Sequence, residues 1–185
     1  MSAAGQGRRY GPTAQWLHWI TVLLMLAIVV IAWQMVEIPR NTPARGLYVT
    51  AHKSIGIVIL VLTLARLAWR ARHAAPPLSP GMPGWMAWLA KANHVLLYVV
   101  LLGMPLAGYL HSATGAHAGS FFGLFELPAL PRNDAVSDAL LAVHLAGQWL
   151  LYAVVALHVL ATVWHVAARR DGTLERMLPP QTGAP

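Results

Sequence analysis

DALLAVHLAGQWLLYAVVALHVLATVWHVAARR, residues 138–170, is an apolar run long enough to cross a lipid bilayer as one helix. It carries His144, His158 and His165. At 100° per residue the 14-residue step from His144 to His158 returns to within about 40° of the same helix face. At 1.5 Å per residue these two histidines stand about 21 Å apart along the axis, one toward each side of a hydrocarbon layer roughly 30 Å thick. The helix therefore points two imidazoles the same way at two depths, which is the pattern of two stacked sites.

The rest of the 185-residue chain supports a membrane reading. It is 57% hydrophobic and only 10% charged, with a mean hydropathy of +0.55, too little polar surface to cover a soluble globule. The absence of cysteine excludes disulfides, thiolate zinc sites, iron–sulfur clusters and thioether-linked haem, and leaves nine histidines as the metal ligands. A net charge of +7 invites a nucleic-acid reading. The basic residues flank apolar spans instead of forming one patch, so membrane topology explains them and no nucleic-acid partner is expected.

Three further spans are expected, at about residues 14–35, 47–69 and 92–110, with the fourth at about 138–168. Arg8 and Arg9 before the first span give it a signal-peptide look, but the run is too long and no small-residue cleavage site follows. HAAPPLSPGMPG, residues 73–84, is a loop because its prolines lack amide donors, and Trp85 and Trp88 after it suit a membrane interface. Pro105 falls near the exit of the third span. Residues 112–137 are too polar and rich in Pro and Gly to cross, although SFFGLFELPAL, residues 120–130, can lie in the interface.

The fold class is therefore all-α, an integral membrane four-helix up-and-down bundle. It forms one domain over residues 1–179 with a short flexible tail at 180–185. With both termini cytoplasmic, the inner side holds Arg8, Arg9, Arg66, Arg70, Arg72, Lys91, Arg169, Arg170 and Arg176 against Asp171 and Glu175. The outer side holds Arg40, Arg45, Lys53 and Arg132 against Glu37, Glu126, Asp134 and Asp138, which cancel. That asymmetry follows the positive-inside rule and places the protein in a bacterial cytoplasmic (inner) membrane as a multi-pass protein in contact with lipid.

In an antiparallel bundle, cofactors are held by side chains of facing helices. His52 and His144 each lie about five residues into helices that start at the outer face, so they oppose one another. His18, early in the first span, meets the depth of His158 less closely, by a turn or two. Gly56 and Gly147 lie four and three residues after His52 and His144, on the same faces. A missing side chain there lets a flat ring approach the backbone, or is ordinary close packing. Ionisable residues inside spans are costly and are functional candidates. Two bis-imidazole sites without cysteine or carboxylates fit haem b better than structural zinc, which wants four ligands. Arg66, 14 residues after His52, either pairs with a haem propionate or snorkels to the interface, and Lys53 pairs similarly at the outer site or marks the helix end.

The motifs RYGPTAQWLHW (residues 9–19), HKSIGIVILVLTLARLAWR (52–70), HVLLYVVLLGMPLAGYL (94–110), HLAGQWLLYAVVALHVLATVWH (144–165) and RDGTLERMLP (170–179) resemble the bacterial cytochrome b561 family, the four-helix di-haem group that includes superoxide oxidase. The resemblance covers nearly the whole chain in order. It implies His18 and His158 as ligands of an inner haem and His52 and His144 as ligands of an outer haem. His94 is outside the family's ligand set, yet its depth makes it a substitute for His18. His165 is a candidate to hydrogen-bond a quinone carbonyl at the inner boundary, or is an interfacial polar residue. His73, His111 and His117 are expected to be solvated in or near loops.

Haem iron with two histidine ligands has no open position, so outer-sphere electron transfer is the expected chemistry. The resemblance implies an oxidoreductase carrying electrons from periplasmic superoxide through two haems b to ubiquinone. Lys53, Arg40, Arg45 and Arg132 are expected to attract the anion. One alternative is a cytochrome b subunit that exchanges electrons between quinone and a periplasmic redox protein or dehydrogenase, docking at the loop 121–130. A more remote one is a haem-free metal transporter, for which the spans lack carboxylates and broken helices.

Overall fold

A computed structural model describes residues 9–77, 81–115 and 118–179. Arg8, His117 and the tail 180–185 lie outside the described residues. Four helices follow the four apolar runs: α1 Pro12–Glu37, α2 Pro43–Arg72, α3 Gly84–Thr114 and α4 Asp134–Trp164, the last continuing as a π turn, His165–Arg169. All four are long and apolar enough to cross a membrane. Proline opens α1 and α2, where its missing N–H costs nothing. Thr42 caps α2 by accepting from the Arg45 amide, and Asn133 caps α4 by accepting from the Val136 amide.

The third helix begins at Gly84, eight residues earlier than the expected start of the span, so Trp85 and Trp88 belong to its first turns. Both indoles remain exposed, as interfacial aromatics are. Pro105 sits inside α3, nine residues before its end. The connection to α4 contains a two-stranded antiparallel hairpin, β1 Ser120–Phe121 with β2 Phe125–Glu126, pairing Ser120 with Glu126 and Phe121 with Phe125.

The bundle is packed as a membrane protein is, with many small and polar residues inside beside Ile59, Val100, Leu151 and Val154, and many other leucines and valines turned outward. Ser54, Thr63 and Ala113 are almost wholly buried, whereas Leu23, Leu26 and Leu160 are exposed to what would be lipid. The buried hydroxyls are satisfied without water: Thr21 donates to the Leu17 carbonyl, Ser54 to Thr50 and Thr63 to Ile59. Asn93 of α3 donates to the Val154 carbonyl of α4 at 3.1 Å and ties those helices together.

Sequential helices pack on one another, but among the described residues the α1 and α4 backbones stay apart. Side chains span the gap, including a Trp33 Nε1 bond to Tyr152 Oη at 2.9 Å. A cleft of this kind, flanked by histidines, positions the site. Beyond the π turn the chain folds back onto the start of α1. Gln15 Nε2 donates to the carbonyls of Tyr10, Arg176 and Leu178, and Trp19 Nε1 donates to Met177 O at 2.8 Å. Arg9 Nη1 reaches the Leu178 carbonyl at 3.2 Å. This latch joins the end of the chain to its beginning at one pole of the bundle.

Candidate functional site

The histidines of the spans meet at two levels. His52 of α2 and His144 of α4 face each other with ring centroids 6.0 Å apart and planes at 80°. His18 of α1 and His158 of α4 do so at 6.3 Å and 63°. The depth mismatch expected for the second pair is absorbed by the bundle, and all four predicted residues are brought into facing pairs. A metal ion held by two imidazole nitrogens at about 2 Å each separates the ring centres by about 6 Å. Both pairs therefore have a spacing at which two imidazoles could hold one metal ion, such as the iron of a haem, between them.

The environment of each ring bears on that fit. His144 Nδ1 lies 2.9 Å from the Met104 carbonyl, the second bond that metal-ligating histidines usually make, and it leaves Nε2 for a ligand. The buried Nδ1 atoms of His18 and His52 have no hydrogen-bond partner, an arrangement costly in a purely structural core. A cavity of about 540 Å³ surrounds the His52–His144 level, lined by Gly56, Ile59, Met104, Gly108 and Leu151 among others. That is within the range of cofactor pockets.

The glycines divide differently from the sequence expectation. Gly56 lines the cavity. Gly147 does not make room for a ring in the cavity: an added Cβ would stand 2.9 Å from Met104 Cγ, so it sets the α3–α4 approach. Gly108 of α3 was not singled out by spacing, yet a Cβ there would stand 3.0 Å from His144 Nδ1. It is the glycine that lets the His144 ring lie against α3. A small residue one turn from Met104, the residue whose carbonyl accepts from His144, is the only sequence signal for it, and it is weak.

His94 of α3 also enters the second level, 5.4 Å from His158 by ring centroids, with Nδ1 2.6 Å from the Ala90 carbonyl. Arg66 stands 5.7 Å over the Tyr98 ring, a cation–π contact that holds its guanidinium inside the span.

At the hairpin end, Arg40, Arg45, Lys53 and His111 line the cavity, and no carboxylate does. Arg45 Nη1 donates to Met35 O and to Ile38 O, closing the C-terminus of α1. Ser54 accepts from the Phe122 amide at 2.8 Å, which fastens the hairpin over Lys53. Gly119 at φ +80° leaves room for that lysine, whose Nζ would stand 3.2 Å from an added Cβ. Two expectations change here. Arg132 does not join this mouth: its guanidinium pairs with Asp134 at 2.9 Å on the exposed surface. His111 is not simply solvated, since it lines the cavity and its Nδ1 lies 2.9 Å from Ser137 Oγ. His73 stays exposed and stacks on Trp69.

At the opposite end His165 is buried and its Nδ1 lies 2.7 Å from Asp171 Oδ2. Burial would raise the Asp171 carboxyl, but hydrogen bonds from Thr173, His165 and Arg169 hold it down, to about 2.

The family model described as prokaryotic cytochrome b561 matches residues 9–180. The chain belongs to the prokaryotic cytochrome b561 family. This cytochrome b561 is 30% identical over 172 residues to cytochrome b561 homolog 1 of Escherichia coli, covering 92% of this chain and 97% of that one. It is 31% identical over 169 residues to the probable superoxide oxidase CybB of Yersinia pestis, covering 90% and 94%. Cytochrome b561 homolog 2 of Escherichia coli is 29% identical over 182 residues, covering 96% and 95%. The protein is thus an electron-transfer cytochrome, multi-pass in the bacterial inner membrane, and family membership implies haem b.

Proposed function

We propose that this cytochrome b561 is a superoxide:ubiquinone oxidoreductase with two haems b, held by His52 with His144 and by His18 with His158. The observation that carries this reading is the pair of facing imidazole couples, each about 6 Å apart, at two levels of α4. Haem b held by these histidine pairs would supply outer-sphere one-electron transfer.

The chain's own residues do the rest. His144, held by Met104 O, presents Nε2 to the cavity in a fixed orientation. Arg40, Arg45 and Lys53 at the cavity mouth raise the local concentration of an anion there. The basic pole, by charge asymmetry, faces the cytoplasm. There Arg66 is placed to pair with a propionate, and His165, with Nδ1 committed to Asp171, keeps Nε2 for a quinone carbonyl. The overall balance is two superoxide, one ubiquinone and two protons to two dioxygen and one ubiquinol. His94, close to His158, is the alternative to His18 at the inner level.

The purified oxidised protein, exposed to enzymatically generated superoxide with and without superoxide dismutase, tests this. Dismutase-sensitive reduction of both haems, and ubiquinol formation in their presence, is the expected result; haems that ignore superoxide would refute it.

A second reading keeps the haems and gives the periplasmic side a redox protein or dehydrogenase as partner. It is favoured by the exposed Phe122, Leu124 and Phe125 of the hairpin. Co-purification of such a partner would select it. The metal transporter has less support, since among the described residues no three His, Asp or Glu converge to hold a bare ion.

A further inference from the structure

The basic pole holds a second, smaller pocket that none of the paired histidines lines. Arg9 and Tyr10 just before α1, Ala14 in its first turn, Arg66, Trp69 and Arg70 near the end of α2, and Tyr98 of α3 surround about 70 Å³ of space. The 73–76 loop and Met177 of the C-terminal latch complete the wall. Three guanidiniums and His73 line it, and no carboxylate does. Among the described residues neither Arg66 nor Arg70 forms an ion pair with Asp or Glu. Arg66 instead rests on the Tyr98 ring, and Arg9 spends Nη1 on backbone carbonyls of the latch.

Such a concentration of positive charge at the membrane surface calls for an anion with several acceptor oxygens. Guanidinium forks match phosphate oxygens in pairs. The volume exceeds that of one bound water severalfold. Much of the lining lies at headgroup depth, since Arg9 and Tyr10 just precede α1, Ala14 is in its first turn and Trp69 and Arg70 are in the last turn of α2, while Arg66 and Tyr98 form a deeper wall.

We propose that this pocket binds the phosphate group of an anionic phospholipid, which bridges α1, α2 and the C-terminal latch. A site recognising only surface charge has no need of the enclosing Tyr98, Trp69 and Met177. The pocket shares Arg66 with the inner histidine level, and Arg9, Arg70, Trp69 and Met177 lie outside both levels, so the proposal stands whether the electron donor is superoxide or a protein.

The test uses the full-length protein with its haems in place. It is delipidated in detergent and titrated with phosphatidylglycerol, phosphatidylcholine or inorganic phosphate, with retained lipid per chain read by native mass spectrometry. Phosphatidylglycerol is expected to bind at least tenfold more tightly than phosphatidylcholine. Arg70→Gln is expected to reduce that binding about tenfold with the haem spectrum and haem-to-protein ratio unchanged. Arg72→Gln, two residues on but outside the lining, is expected to behave as the unmodified protein, which separates the pocket from the general charge of the helix end. Equal binding of the two lipids would overturn the proposal, as would saturation by millimolar inorganic phosphate with no lipid preference. Loss of haem or an altered haem spectrum in Arg70→Gln, with lipid binding intact, would assign the pocket to a propionate instead.

Discussion

Replacing Gly108 by alanine separates the fold's interest in this position from the site's. The new Cβ would lie 3.0 Å from His144 Nδ1 and 3.1 Å from Cε1. Carbon contacts settle at about 3.5–4.0 Å, so the imidazole must retreat by about 0.5 Å. Its bond to Met104 O, now 2.9 Å, would then leave the normal range, at a cost of about 1 kcal/mol. Alanine in place of glycine inside a helix returns about 1 kcal/mol. The two nearly cancel, and the thermal midpoint should hardly move. Ligation should not be so protected, because loss of a ligand histidine's orienting bond typically weakens metal binding by about 10–100-fold. Gly103→Ala, where nothing lies within 4 Å of the new Cβ, should gain the helix term alone, about 1 kcal/mol, with haem content intact. Haem-to-protein ratio, reduced-minus-oxidised spectra and thermal unfolding of the two variants decide the matter. Gly108→Ala with both haems bound at undiminished affinity would refute the claim that the His144 ring is seated against α3 for ligation.

His52→Ala should halve the haem content and leave the spectrum of the haem at the His18–His158 level, read by pyridine haemochrome assay; loss of both haems or of neither would contradict two independent levels. Lys53→Glu, reversing a charge that lines the cavity mouth, should slow superoxide-driven haem reduction and flatten its salt dependence in stopped-flow traces. Asp171 is held at about 2 against an ordinary 3.8, so its ionised form favours the folded latch. A depressed carboxyl gives that stability above its unfolded pKa and loses it as pH falls through the folded one. The C-terminal segment should therefore resist an acid-active protease at pH 4 and open toward pH 2, while Asp171→Asn should be cleaved at pH 4 as well.

The four spans were legible because each apolar run exceeds the bilayer thickness and is bounded by proline or charge. The early start of α3 was not, since Trp85 and Trp88 read as interface whether or not they are helical. The pairing of His52 with His144 followed from topology and depth, quantities that residue counting gives directly. His94 was legible by its depth, and it does stand beside His158. The part α3 plays at the outer level escaped for a physical reason: counting fixes how deep a residue lies but not how a helix is rotated, and rotation is what brings Met104 O and Gly108 to His144. Arg132 carries a formal charge that is visible in sequence, whereas its pairing with the exposed Asp134 two residues away depends on side-chain geometry that is not. The latch over α1 was visible only as a motif. Its bonds run from Gln15 and Trp19 to backbone carbonyls more than 150 residues away, and carbonyls carry no sequence signature.

The most direct measurement is low-temperature electron paramagnetic resonance of the purified oxidised protein together with its haem-to-chain ratio. Two low-spin ferric haems per chain, each with bis-imidazole character and each removed separately by His52→Ala or His158→Ala, is the expected result. A single haem, a high-spin signal from an open axial position, or a colourless protein would contradict the two-level assignment.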